Sequence, residues 1–155
     1  VVNATMTPVG TKQDVAAVLN KQLANWCVLF VKLHNYHWFV KGSNFFTLHA
    51  KFEELYNEAA AYIDNLAERV MSIGGRPLAT MREYLAEASI KEASGSERAA
   101  DMVRTTEQDF RLMLDELAKG METAEAAGDQ STSDMLLGIR SSLEKHIWML
   151  AAFNE

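Results

Sequence analysis

The sequence predicts an all-α fold, a four-helix bundle with one long crossover that carries a short extra helix. Three observations predict it. Helix breakers are scarce, with two prolines and eight glycines among 155 residues, which suits long uninterrupted helices. Apolar residues recur at helical spacing in four long stretches, and no stretch alternates with the period of a strand. The links between the stretches run short, long, short. With 48% hydrophobic residues, a chain of this length supports one packed domain over 1–155, residues 1–11 being expected as a flexible N-terminal segment.

The first helix is expected from about 12 to 39, with Val15, Leu19, Gln22, Trp26, Leu29, Phe30 and Leu33 on one stripe. Gly42 breaks it. Ser43 or Asn44 can cap the second helix, expected over 44–73 and stopped by Gly74-Gly75. After Pro77, Thr80-Met-Arg-Glu83 reads as a capping box that opens a short helix near 80–87. Ser94-Gly-Ser-Glu97 reads as another box, opening the third long helix, which carries Val103, Phe110, Met113, Leu114, Leu117 and Met121 and ends at Gly128. The fourth, from about 131 to 153, carries Met135, Leu136, Ile139, Leu143, Ile147 and Leu150. Short links make helices one and two, and three and four, antiparallel hairpins. One long crossover between two hairpins is the ferritin-like arrangement.

Composition narrows the function. The net charge of −6 argues against a general attraction to nucleic acid or anionic membrane and suits a protein that gathers cations. The single cysteine, Cys27, lies in an apolar helical run and is expected to be a buried core thiol; no disulfide framework exists, which fits a reducing compartment. No apolar run approaches a membrane span, and the opening VVNATMTPVGTKQD lacks the pattern of an export signal. A cytoplasmic location is expected.

The second helix holds the chemistry. With His49 set at zero on its wheel, Glu53 falls near ~40°, Asp64 near ~60° and Glu68 near ~100°. Two pairs of metal-type ligands, each at i, i+4, therefore share a stripe. The apolar face, Leu48, Phe52, Leu55, Ala59, Ile63, Leu66 and Val70, centres near ~280°, so the ligand stripe faces away from the helix's own core. Glu53 and Asp64 are about 16 Å apart along the axis, too far for one metal on a straight helix. An antiparallel second copy, setting His49 and Glu53 of one chain against Asp64 and Glu68 of the other, would solve this and predicts a twofold dimer with two metal sites in its interface. Each residue also has a plainer reading. His37, at the end of helix one, reads as a satisfied core histidine as well as a ligand. Asp64 and Glu68 read as a solvated face, and Arg69 could pair with a carboxylate. Imidazole with carboxylate suits Fe(II), Mn(II) or Zn(II). A di-iron centre inside the bundle needs Glu-x-x-His on two helices. His34, Phe46 and Leu143 stand three residues before His37, His49 and His146, so that pattern is absent. His146 is read as structural or partner-facing, His34 as supporting the site or merely exposed, and Trp38 as a packing anchor or a guard against stray oxidant.

His37-Trp38, Lys41-Gly-Ser-Asn-Phe-Phe-Thr-Leu-His49, Phe52-Glu-Glu-Leu-Tyr56, Asp64-Asn-Leu-Ala-Glu-Arg69 and Ile73-Gly-Gly-Arg-Pro-Leu-Ala-Thr80, with Leu143-Glu-Lys-His-Ile-Trp-Met-Leu150 near the end, resemble the signature of the Dps family. These are the mini-ferritins named for DNA protection in starved bacterial cells. The similarity spans essentially the whole chain and looks greatest to members from Gram-positive bacilli. It implies twofold dimers assembled into a dodecameric shell. It also implies a ferroxidase centre between twofold-related subunits, with His37, His49 and Glu53 from one chain and Asp64 and Glu68 from its mate. Iron (Fe2+/Fe3+) would occupy that centre as a dinuclear or partly filled site, and Fe(II) and hydrogen peroxide would be the substrates of an iron-storage protein that limits oxidative damage. Many members carry Asp where this chain has Glu53. Asp129 and Asp134 are candidates for an ion access route, or equally a turn residue and a first-turn carboxylate. Members that condense DNA usually carry a lysine-rich tail, whereas residues 1–14 hold only Lys12. Direct DNA binding is therefore expected to be weak or absent. The rival reading is a nucleoid-compacting protein without significant ferroxidase activity.

Overall fold

The computed structural model describes residues 10–155. Five helices follow in order: α1 (Lys12–Phe39), α2 (Phe45–Ser72), α3 (Met81–Glu87), α4 (Ala99–Ala126) and α5 (Gln130–Phe153), and no strand occurs among the described residues. The all-α expectation holds, including the short helix in the crossover. Of the segment expected to be flexible, residues 1–9 lie outside the described residues. Thr11 instead closes a capping box on α1, exchanging bonds with Asp14 at 2.9 and 3.2 Å.

Cross-helix contacts fix the directions. His37 meets His49 and Trp26 meets Tyr62, so α1 and α2 run antiparallel. Ser133 reaches Glu125 and Asn154 reaches the Ala100 carbonyl, so α4 and α5 do too. Buried Lys32 of α1 pairs with Asp109 of α4 at 2.7 Å, and Asn25 bonds Glu116, joining the hairpins. The core fills the space between: Leu19, Trp26, Leu33, Phe52, Leu66, Phe110, Met113 and Leu136 are all essentially inaccessible. Each such side chain contributes roughly 1.5–3 kcal/mol on burial. All of the predicted apolar face of α2 is buried except Ile63, which is half-buried.

Helix α2 stops as its glycines dictate. Gly74 takes φ +83°, and Gly75 and Gly74 return hydrogen bonds to the Val70 and Met71 carbonyls at 2.9 and 3.0 Å, a left-handed cap that other residues adopt only with strain. The Thr80–Glu83 box opens α3 as expected. Three expectations are corrected. The Ser94–Glu97 bonds form, Ser94 N–H donating to Glu97 Oε1 at 2.8 Å, but they close a turn; α4 starts only at Ala99, where Arg98 N–H donates to Asp101. Asn44 occupies the N-cap of α2 without a side-chain capping bond. Cys27 is half-buried rather than sealed in the core. It packs beside Tyr84, and desolvation pushes its thiol up to about 11, which makes it a poor nucleophile at neutral pH. No helix among the described residues is long and apolar enough to cross a membrane.

Candidate metal centre

The turn between α1 and α2 folds the end of one helix onto the start of the next, and this brings His37 against His49. Their rings stack at 3.6 Å and 14°. His37 Nδ1–H donates to the His49 carbonyl and His49 Nδ1–H donates to the His37 carbonyl, both at 2.7 Å. A carbonyl can only accept, so both Nδ1 atoms carry protons, and a ring with no second proton holds its lone pair at Nε2. Among the described residues, neither Nε2 has a hydrogen-bond partner. A ring fixed through one nitrogen with the other left as a lone pair is the usual state of a metal-ligating histidine. His37 is buried while His49 is half-buried, so the pair sits at the bundle's edge.

Glu53 lies one turn beyond His49 on the exposed side of α2. Its Oε1 accepts from the Tyr56 hydroxyl at 3.3 Å. Asp64 and Glu68 are exposed further along the same helix. Arg69 does not neutralise them. It turns to the α4–α5 link, where Nη2 meets Asp129 at 2.8 Å and Nε donates to Thr132 at 2.9 Å. The structure therefore brings His37 and His49 together, sets Glu53 one turn further along α2 on its exposed side, and leaves Asp64 and Glu68 exposed further along the same helix. Among the described residues of one chain, no three His, Cys, Asp or Glu side chains gather closely enough to hold a metal ion.

The other candidates find ordinary partners. His146 is buried; its Nε2–H donates to Glu58 at 2.6 Å and its Nδ1 accepts from Lys51 at 3.3 Å. With both nitrogens engaged it ties α5 to α2 and has no lone pair to offer. Asp129 caps α5 by accepting from Thr132 N–H at 3.0 Å while pairing with Arg69. Asp134 is exposed and accepts from Gln130. Trp38 is 65% exposed and touches His34 at 5.2 Å, so it is no packing anchor within the chain. Sequence reading missed Tyr56. Its position three residues after Glu53 was the available signal, since i, i+3 side chains on a helix are neighbours.

The chain matches the Ferritin-like domain family over residues 16–155. It is 59% identical to "DNA protection during starvation protein 2" of Bacillus anthracis, across 91% of this chain and 97% of that one. The crystal structure of a Dps protein from Bacillus brevis superposes with a TM-score of 0.92 at 58% identity, covering 93% of this chain and 97% of that chain. The Dps protein of Vibrio cholerae O1, described as a member of a broad superfamily of ferritin-like diiron-carboxylate proteins, superposes at 0.90 with 34% identity over 99% of this chain and 100% of its own. Similarity this high over nearly the full length of both partners, on the same five-helix arrangement, means that the chain belongs to the Dps family of ferritin-like proteins.

Proposed function

We propose that this protein is a ferroxidase and iron-storage mini-ferritin. It oxidises Fe(II) at a centre shared by two twofold-related subunits, preferably with hydrogen peroxide, and holds the ferric mineral inside a cytoplasmic dodecameric shell. Iron is substrate and cargo. The observation that carries the reading is the mutual anchoring of His37 and His49, with both Nε2 atoms unpartnered among the described residues. Two further features support it. Among the described residues one chain gathers no complete ligand set, and Glu53, Asp64 and Glu68 are exposed along α2. An antiparallel second copy would bring Asp64 and Glu68 of the partner subunit to the histidine end. Neutral imidazoles suit Fe(II), and carboxylates stabilise the ferric product.

The electron balance is simple. Two Fe(II) give one electron each to a peroxide molecule, which takes up two protons and leaves as two waters. Both reagents of hydroxyl-radical chemistry are thereby removed. In this reading direct DNA binding is weak or absent, because the chain carries a net charge of −6 and a duplex repels it.

The test mixes anaerobic Fe(II)-loaded protein with peroxide or with oxygen in a stopped-flow instrument, then measures particle size and retained iron. Faster oxidation by peroxide in a twelve-subunit particle that keeps its iron is expected. Equal or faster oxidation by oxygen rejects the peroxide preference, and a particle that retains no iron rejects storage.

A further inference from the structure

Tyr56 touches the candidate centre on several sides. Its hydroxyl donates to Glu53 Oε1 at 3.3 Å. Its ring lies flat on His34, with centroids 3.7 Å apart and planes within 20°. The same ring meets His37 edge-on at 5.3 Å and Phe30 edge-on at 6.3 Å. His34 is itself fixed, since its Nδ1–H donates to the Phe30 carbonyl at 2.7 Å. Helix α1 thus presents a rigid aromatic slab, Phe30 and His34, and the Tyr56 ring is held flat against it. The direction of the phenol oxygen follows from that packing.

Glu53 is the opposite kind of side chain. It is exposed, and among the described residues its carboxylate has no side-chain partner other than Tyr56. A glutamate arm has several rotatable bonds, and ordering it costs rotamer entropy. A carboxylate offers two oxygens with separate lone pairs, so a bond to Oε1 leaves Oε2 able to face a cation.

We infer that Tyr56 is a positioning residue of the divalent-cation site: with its ring packed on His34 and His37, its hydroxyl holds the Glu53 carboxylate and so prepares Oε2 as a ligand. This rests on the metal-centre reading above and deepens it. Tyr56 itself touches no metal. Its contribution is to restrict the arm before the cation arrives, as supporting hydrogen bonds around metal ligands do.

The test is a double-mutant cycle read by Co(II) titration of the assembled protein without iron or oxidant. Co(II) reports both affinity and, through its visible absorption bands, the ligand field. Tyr56→Phe keeps the ring and its stacking and removes only the donor. Glu53→Asp shortens the arm by about 1.5 Å, one carbon–carbon bond, and takes the carboxylate out of the hydroxyl's reach. Tyr56→Phe is expected to weaken Co(II) binding by about 3–10-fold in the wild-type background and to shift the absorption bands. In the Glu53→Asp background it should change neither. Equal loss in both backgrounds with unchanged bands means that Tyr56 acts only by packing, and overturns the inference. Wild-type affinity in Tyr56→Phe overturns it as well. If His49→Ala binds Co(II) as tightly as the wild type, the metal-centre reading fails first and this inference falls with it.

Discussion

His37 and His49 exchange hydrogen bonds through their main chains, each Nδ1–H donating to the other's carbonyl at 2.7 Å with the rings parallel at 3.6 Å. The exchange spans the α1–α2 turn and sets a tautomer as well as an orientation. His34 is held in the same tautomer by the Phe30 carbonyl, whereas His146 is held in the opposite one by Glu58 and Lys51. Nitrogen spectra of histidine-labelled, metal-free protein should therefore show three singly protonated rings with the proton at Nδ1 and one with it at Nε2. His49→Ala should remove one Nδ1–H signal and broaden that of His37, which loses both its stacking neighbour and the donor to its own carbonyl. An Nε2–H form for His37 or His49 would remove the geometric basis of the candidate centre.

His146 separates a structural histidine from a ligand. It is buried at 4% exposure and satisfies Glu58 from α5 while accepting from Lys51. Replacing it by Ala strips both groups of a partner and leaves a void beside Phe110, whose ring stands 6.2 Å away. A loss of about 2–4 kcal/mol is expected. Co(II) binding at temperatures where the variant remains folded should equal that of the wild type. Thermal unfolding and metal titration on the same sample check both halves; weakened binding by the folded variant would make His146 part of the site.

Asp129 gives a pH dependence whose sign is fixed. Burial works against its charge, yet the Thr132 hydroxyl and N–H and the Arg69 guanidinium outweigh burial and hold its pKa below the ordinary 3.8. A carboxyl with a depressed folded-state pKa stabilises the fold above its unfolded value and loses that contribution as pH falls through the folded value. Asp129→Asn keeps an oxygen for capping α5 but loses the charge that faces Arg69. It should cost about 1 kcal/mol at pH 7, and the gap to the wild type should close as pH drops below about 4. Melting curves from pH 7 to pH 3 measure it. A gap that persists unchanged at pH 3 would place the effect in packing, not charge.

Periodicity carried the helices because each long helix has one sealed face. Leu48, Phe52, Leu55, Ala59, Leu66 and Val70 are all buried, and the stripe of His49, Glu53, Asp64 and Glu68 follows as their complement. The start of α4 was misread for a physical reason. Ser94 and Glu97 satisfy one another over three residues, and that local exchange closes a turn as readily as it opens a helix. The partners of Arg69 and His146 depend on how α2 lies against α5 and the α4–α5 turn, a register that no window along the chain contains. Tyr56 is intermediate: its bond to Glu53 is local and readable, whereas its stack on His34 exists only once α1 and α2 pack.

Sharing of the centre between chains is open to a direct test. Within one chain, His37 and His49 lie together while Asp64 and Glu68 stand further along α2, and among the described residues no three such ligands converge. Two inactive variants follow: His37→Ala with His49→Ala, and Asp64→Ala with Glu68→Ala. In a homodimer of either, both shared sites lack half their ligands. In a mixed dimer the intact histidines of one chain face the intact carboxylates of the other, restoring one site, while the second site loses both halves. Random co-assembly makes half of the dimers mixed, each with one of its two sites whole. About a quarter of the wild-type sites should then return, and Co(II) stoichiometry and initial Fe(II) oxidation should recover together to about that fraction. Variants assembled separately and mixed without subunit exchange should stay inactive. Mixed dimers confirmed by native mass spectrometry that bind no more Co(II) than the parent variants would show that the ligands do not come from two chains.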